Sequence, residues 1–488
     1  MPRRAYRGLR SLPATMAGGH LGAADGHVRA GWMTKQMTYA AHARALAVLG
    51  LPLIGGHVAQ FAIMLTDTVM LGWYGVEALA AVTLAGSFFF TLFLMGSGFG
   101  WAVMPMVAAA AAAGDETGLR RATRMGLWLS VGFAVLAMPA MWRADPILSA
   151  FGQGAAVAGA AETYLRIAGW GMFPALLVVV LKSHLAALER TQVVLWITVL
   201  AAAVNGLVNY ALIFGNWGAP ELGLRGAAIA SVVTQGVSLL AVIGYAAWAL
   251  PAQRLFERLW RPDGAMLGRV FKLGVPIGIT SLSEVSLFTA TALMMGWLGT
   301  VPLAAHGIAV QLSGLTFMVH LGLSNAATVR AGNAYGRGDR AHMARGALVV
   351  TAMSLAMSAM TIVLFLTLPG PLLSLFMEGD DPARPGIVEI GTGLLAVAAL
   401  FQLVDGAQVI ALGLLRGVQD TAMPMAIAAL AYWAVGLPAS YLLGFAAGLE
   451  GIGVWMGLVL ALAVAGVLLM LRFWLVAIRR VGRAAAVS

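Results

Sequence analysis

The chain has 488 residues, 60% of them hydrophobic and only 10% charged, against about 25% charged in soluble domains. That balance excludes a soluble globular protein and leaves an integral membrane protein. Cysteine is absent, which excludes disulfides, thiolate metal sites and cysteine nucleophiles.

In chain order, the first stretch differs from the rest. Residues 1–43 are basic and rich in Gly and Ala, with no apolar core of the kind a secretory signal carries. They read as a disordered cytoplasmic tail, or as an upstream extension of a chain starting at Met33 or Met37. Apolar segments of about 20 residues or more then fall at 45–71, 78–112, 118–142, 158–186, 192–215, 225–250, 266–297, 301–334, 341–368, 387–415, 422–445 and 451–478. Breaks such as "GDETG", "RPDG" and "GRGD" carry turn chemistry. Twelve transmembrane helices are expected, several longer than the hydrocarbon requires and so tilted or projecting.

The basic residues sort by side. With the N-terminus in the cytoplasm, 26 of 30 Lys and Arg fall on the cytoplasmic side, leaving Arg143, Arg166, Arg225 and Arg384 outside. This asymmetry places both termini in the cytoplasm. It also accounts for the net charge of +10 without a nucleic-acid partner. The loop "PAQRLFERLWRPDGAMLGRVFK" is basic enough to meet anionic lipid.

The chain also repeats itself. Shifted by 224 residues, "LPLIGGHVAQFAIMLTDTVMLGWYGVEALAA" lies on "VPIGITSLSEVSLFTATALMMGWLGTVPLAA", pairing Pro52 with Pro276 and Gly72-Trp73 with Gly296-Trp297. The same shift pairs Gly114-Asp115 with Gly338-Asp339. Six helices per unit is an even number, so both units insert the same way up. The expected fold is all-α, with two pseudo-symmetric six-helix bundles. The N-lobe would span 44–250, a cytoplasmic linker 251–265, the C-lobe 266–479 and a cytoplasmic tail 480–488. Such paired bundles bind substrate between them and rock between two openings.

Of twenty acidic residues, three fall inside apolar segments: Asp67 in helix 1, Glu284 in helix 7 and Asp405 in helix 10. Each opposes insertion by roughly 2.5–3.5 kcal/mol, so each is expected to face a bundle interior or a water-filled cavity. No Lys or Arg shares the middle of these helices, which argues against simple structural ion pairs. Polar neighbours stand at helical spacing: His57 and Gln60 with Asp67; Ser281 and Thr291 with Glu284, near Phe288; Gln402 and Gln408 with Asp405; and Asn205 with Asn209 in helix 5. Single amides and hydroxyls in such places are ordinarily helix–helix glue. Buried acids can instead hold a proton, coordinate Na⁺ or meet a cationic solute, and these states exclude one another, as antiport requires. His57, His306 and His320 titrate near neutrality in principle, with a structural role the more ordinary assignment.

Five stretches carry a resemblance: "DTVMLGWYG", "VNGLVNYALIFGNWGAPELGLRGAAIAS", "SEVSLFTATALMMGWLG", "GLSNAATVRAGNAYGRGD" and "FQLVDGAQVIALGLLRGVQDTAMPM". Over about residues 40–478 the chain resembles the multidrug and toxic compound extrusion (MATE) family, NorM-type branch. The resemblance implies export of amphipathic, often cationic, drugs or metabolites from a bacterial inner membrane, by Na⁺- or H⁺-coupled antiport, in a monomer without cofactors. It implies a cation site at Glu284 and Asp405, where Na⁺ would bind, an essential acid at Asp67, and a further site at Asn205 and Asn209. Two departures stand out. Asn209 occupies a position where DinF-like relatives carry an aspartate, and Phe401 one where some relatives carry a tyrosine. Glu378, Asp380 and Asp381 match an acidic extracellular face of the family, or form a solvated loop. A flippase for lipid-linked precursors is the nearest rival, but the Arg-lined cavity of such proteins has no counterpart in helices 1, 2, 7 or 8. A membrane enzyme would need a metal, nucleophile or phosphate motif, and HExxH, GxSxG and P-loop patterns are all missing. A passive channel fits the duplicated halves less well than alternating access.

Overall fold

A computed structural model describes residues 37–377 and 382–481. The N-terminal segment up to residue 36 and the acidic trio Glu378, Asp380 and Asp381 lie outside the described residues. Among the described residues, twelve helices are long and apolar enough to cross a membrane: α1 Tyr39–Tyr74, α2 Val76–Ala113, α3 Glu116–Trp142, α4 Ala155–Ala187, α5 Thr191–Phe214 and α6 Leu224–Ala249, then α7 Gly264–Leu298, α8 Thr300–Gly336, α9 Arg340–Thr367, α10 Arg384–Gly417, α11 Ala422–Ala446 and α12 Glu450–Arg480. Two short helices, Ala144–Ala150 and Pro369–Ser374, follow α3 and α9. Among the described residues there is no strand.

Each expected segment has its helix, and the differences lie at the ends. Helix α1 begins at Tyr39 rather than 45, because "YAAHARALAV" continues the helical pattern beyond the purely apolar part. The linker stops at Asp263, whose carboxylate accepts from the Met266 amide at 3.1 Å and so starts α7 at Gly264. Helix α12 runs to Arg480. Helix α2, with 38 residues, is about 55 Å long at 1.5 Å per residue, well beyond one hydrocarbon thickness.

The repeat is visible in the backbone. Shifted by 224, α1–α3 fall on α7–α9 to within one residue at every end. A single glycine separates the first two helices of each half, Gly75 in one and Gly299 in the other. Gly114 and Gly338 both close the second helix with left-handed backbone, at φ 74° and 66°. The aspartates after them cap the next helix. Asp115 Oδ1 accepts from Gly118 N at 2.8 Å, and Asp339 Oδ1 from His342 N at 2.9 Å.

The halves α1–α6 and α7–α12 meet mainly through α1 and α2 against α7, α8 and α9. Small residues let the backbones approach. A Cβ on Gly98 would strike the Gly274 and Gly278 backbone, and one on Gly322 would strike Ile54. The linker docks on the first half. Arg124 Nε donates to the Leu255 carbonyl at 2.8 Å, Trp128 Nε1 to the Leu259 carbonyl at 2.7 Å, and Arg121 pairs with Asp263.

Buried apolar residues form two cores. The larger one joins both halves at the end where α1 begins and α12 finishes, through Leu46, Val103, Leu181, Val270, Ala327 and Val350 among others. It continues through the whole second half to Met295 and Phe365. The smaller core holds Met70, Ala85, Met141, Leu165 and Ile213, and its members all belong to the first half at the opposite end. The halves therefore share a core at the end where α1 begins and part company at the far end.

Candidate functional site

In the first half, α1 and α5 pack closely and bring Asp67 to the amide pair. Asp67 Oδ1 accepts from Asn205 Nδ2 at 2.9 Å and also from Asn209 Nδ2. The i,i+4 spacing puts both amides on one face of α5, and both are fully buried. Asn209 Nδ2 lies 3.3 Å from Asn205 Oδ1, and Asn209 Oδ1 has no hydrogen-bond partner among the described residues. The site thus offers a carboxylate and an unsatisfied amide oxygen, both hard oxygen donors. Tyr164 on α4 lies within electrostatic reach of Asp67, and its hydroxyl is 3.3 Å from Ser231 Oγ. Sequence pattern gave no sign of Tyr164, which stands among ordinary helix residues.

Two residues expected beside Asp67 are elsewhere. Gln60 is exposed and makes no hydrogen bond among the described residues. His57 reaches across to the other half, where Asn325 Nδ2 donates to its Nε2 at 2.9 Å. Helical spacing places these side chains on the Asp67 face, but α8 claims His57 for the join.

In the second half the acids are differently placed. Asp405 is 2% exposed, and neither it nor Glu284 makes a hydrogen bond or ion pair among the described residues. Their charges act on each other, and Arg416, three turns further along α10, is close enough to act on Glu284. Arg416 acts from the end of α10 without forming a direct pair with either acid among the described residues. Gln402 Nε2 donates to the Ser313 carbonyl at 3.2 Å, and Gln408 Nε2 to the Tyr432 hydroxyl at 2.7 Å. The Oε1 atoms of both glutamines are buried without partners. Standing three residues either side of Asp405, they flank it on α10. Two carboxyls and two unsatisfied carbonyl oxygens suit a hard cation such as Na⁺, or a proton on one acid. Among the described residues no three His, Cys, Asp or Glu side chains gather into a metal cluster.

Tyr432, fully buried, sits in the π-helical stretch Leu430–Gly436 of α11 within electrostatic reach of Glu284 and Asp405. π-turns recur at functional sites, but nothing in the local sequence announces this one. Phe288 packs edge-on against Phe401 at 5.9 Å, and Phe401 against Trp455 at 5.8 Å. The two phenylalanines and Trp455 form one aromatic cluster, with Phe288 half-buried. Ser281 is half-buried without a hydrogen bond, and the Thr291 hydroxyl donates to the Phe288 carbonyl at 2.8 Å. His306 accepts from Trp455 Nε1 at 3.0 Å, and His320 Nδ1 lies 3.0 Å from Ser354 Oγ. Both have structural partners.

Known proteins bear on this geometry. The MatE family model matches residues 52–211 and 276–442, two segments that begin 224 residues apart. A probable multidrug resistance protein NorM of Rhizobium meliloti is 45% identical over 92% of this chain and 96% of its own length. Another, of Agrobacterium fabrum, is 42% identical over 88% and 93%. Among solved structures, the eukaryotic MATE transporter AtDTX14 matches with a TM-score of 0.80 at 19% identity, over 91% of this chain and 99% of its own. An outward-facing multidrug resistance MATE transporter also matches with a TM-score of 0.80, at 20% identity, over 90% and 97%. The repeated match, the high identity along the whole length and the common twelve-helix fold place this chain in the MatE family, on its NorM branch.

Proposed function

We propose that the protein exports amphipathic, often cationic, organic compounds across a bacterial inner membrane in exchange for Na⁺ or H⁺. It is a transporter and not an enzyme, in keeping with relatives named as multidrug resistance proteins. The observation that carries the coupling is the pair Glu284 and Asp405, two acids in the bundle without a hydrogen bond or ion pair among the described residues. An acid held in that way in an apolar medium must take up a cation or a proton to be stable.

In the proposed cycle the two sets of six helices act as lobes. The arrangement with a shared core where α1 begins and separate cores on the far side is the outward-open one, with both termini in the cytoplasm. The coupling ion loads at Glu284 and Asp405, with Asp67, Asn205 and Asn209 taking part in the first half. Loading releases the compound outside and permits the switch. Entry of a new compound from the cytoplasm then displaces the ion. The protein works as a monomer among membrane lipids, with no cofactor and no nucleic-acid partner. The flippase reading is not favoured, given what the relatives are named for.

The test is ethidium accumulation in an efflux-deficient bacterial host, comparing wild type with Glu284→Gln at equal expression. Lower accumulation with wild type but not with the variant supports the reading. Equal accumulation in wild type and empty host overturns the cationic-drug assignment. Repeating the assay under imposed Na⁺ or pH gradients decides the ion.

A further inference from the structure

Arg143 and Arg166 were exceptions to the one-sided distribution of basic residues, and the structure brings them together. Arg143 ends α3 and Arg166 lies on α4, and with Trp142 and Trp170 they line a shallow, open surface depression of about 460 Å³. The depression lies at the far end of α3, away from the start of α1 and apart from both acid sites. The two indoles stand 5.8 Å apart at 55°, and Trp142 and Trp170 are 43% and 54% exposed. Arg166 is already engaged, pairing with Glu162 at 2.6 Å and donating to the Trp142 carbonyl at 3.2 Å. The Arg143 guanidinium makes no hydrogen bond or ion pair among the described residues, while its backbone N–H donates to the Pro139 carbonyl at 3.1 Å. Asp145 joins the cluster, its backbone N–H donating to Glu162 Oε2 at 2.9 Å, so two guanidiniums face two carboxylates and Arg143 is the one left without an ion pair among the described residues. Such a guanidinium is the complement of a phosphodiester, which arginine binds through paired N–H groups.

The surroundings decide what carries the phosphate. Exposed tryptophans sit at the level of lipid headgroups. Below the depression, Val135 and Leu136 on α3 are 56% and 78% exposed, and Val135 lies two turns under Trp142 on the same face. A ligand filling this place has an anionic head between the arginines and an apolar tail along α3. We propose that this depression is a binding site for an anionic phospholipid of the outer leaflet, its phosphate held by Arg143 and Arg166 between the two indoles.

The experiment is native mass spectrometry of the purified full chain, titrated separately with phosphatidylglycerol, phosphatidylcholine and inorganic phosphate. Wild type should retain phosphatidylglycerol in preference to phosphatidylcholine. Arg143→Gln should weaken that retention about five-fold, the effect of one surface cation on an anionic lipid, and Arg143→Gln with Arg166→Gln should weaken it further. Glu162→Gln raises the net charge and should strengthen it. Because Arg143 has no partner to lose, its single variant carries the test even where the double variant does not fold. Equal phosphatidylglycerol retention in wild type and Arg143→Gln overturns the proposal. Competition by inorganic phosphate as effective as by the lipid also overturns it, in favour of a free-anion site.

Discussion

The two halves share a backbone plan but handle their buried acids in opposite ways. In the first half Asp67 is gripped by two amides from α5. In the second, Glu284 and Asp405 act on each other without any hydrogen bond among the described residues. The repeat places Gln60 opposite Glu284 and Thr291 opposite Asp67, so neither site is a copy of the other. Two amide donors lessen the cost of a charge on Asp67 without removing the cost of its burial, whereas two neighbouring carboxylates without donors are stable only with a proton or cation added. The second half is thus the stronger candidate for ion exchange.

The most damaging change to that contrast is Asp405→Asn. It should reduce drug export at least about ten-fold, the effect of losing one charged interaction of about 1.4 kcal/mol or more, read as ethidium efflux at matched expression. Export at the wild-type level would remove α10 from the coupling scheme. Next comes Asn209→Ala, which leaves Asp67 with one donor and should cost about 1–3 kcal/mol of local stability. Export should fall less than with Asp405→Asn, and a larger loss would reverse the assignment of the two halves. Smaller still is Tyr432→Phe, which removes the hydroxyl held by Gln408. A net hydrogen bond is worth about 1 kcal/mol, so a several-fold shift in the apparent affinity for the coupling ion is expected, with maximal export little changed.

The smallest effect belongs to a third kind of carboxylate. Asp263, in the linker, sits beside the Arg121 guanidinium, which holds its carboxyl below the usual range, with the backbone amides at the start of α7 adding to the effect. A depressed value means that its contribution to stability is complete above the unfolded value, about pH 4, and is lost as pH falls through the lower folded value. Asp263→Asn should therefore increase proteolysis of the linker modestly at neutral pH, and the difference from wild type should vanish only in strong acid. A difference that varies between pH 6 and pH 8 would contradict this.

Hydropathy, turn residues and the side of each arginine made the twelve helices legible. A helix that must satisfy its own backbone in lipid leaves a long apolar run with few alternatives. The duplication was legible through Pro52 and Pro276 and through the Gly-Asp pairs. The acids were legible because a lone charge such as Asp67 in "FAIMLTDTVMLGWYG" opposes insertion and so stands out from its apolar run. What stayed hidden depends on which helices touch. Tyr164, Tyr432 and the action of Arg416 on Glu284 follow from packing between helices distant in sequence. The bond from His57 to Asn325 crosses 268 residues, and no local spacing announces it.

The repeat keeps its register through α1–α3 and α7–α9, and then slips by several residues in α4–α6 against α10–α12. The strict part supplies the join between halves together with Asp67 and Glu284, while the slipped part supplies Asn205, Asn209, Asp405 and Tyr432. In evolutionary terms, each site draws an acid from the part of the chain held in register and partners from the part that has drifted, so residues facing the acids can change while the surfaces that join the halves stay matched.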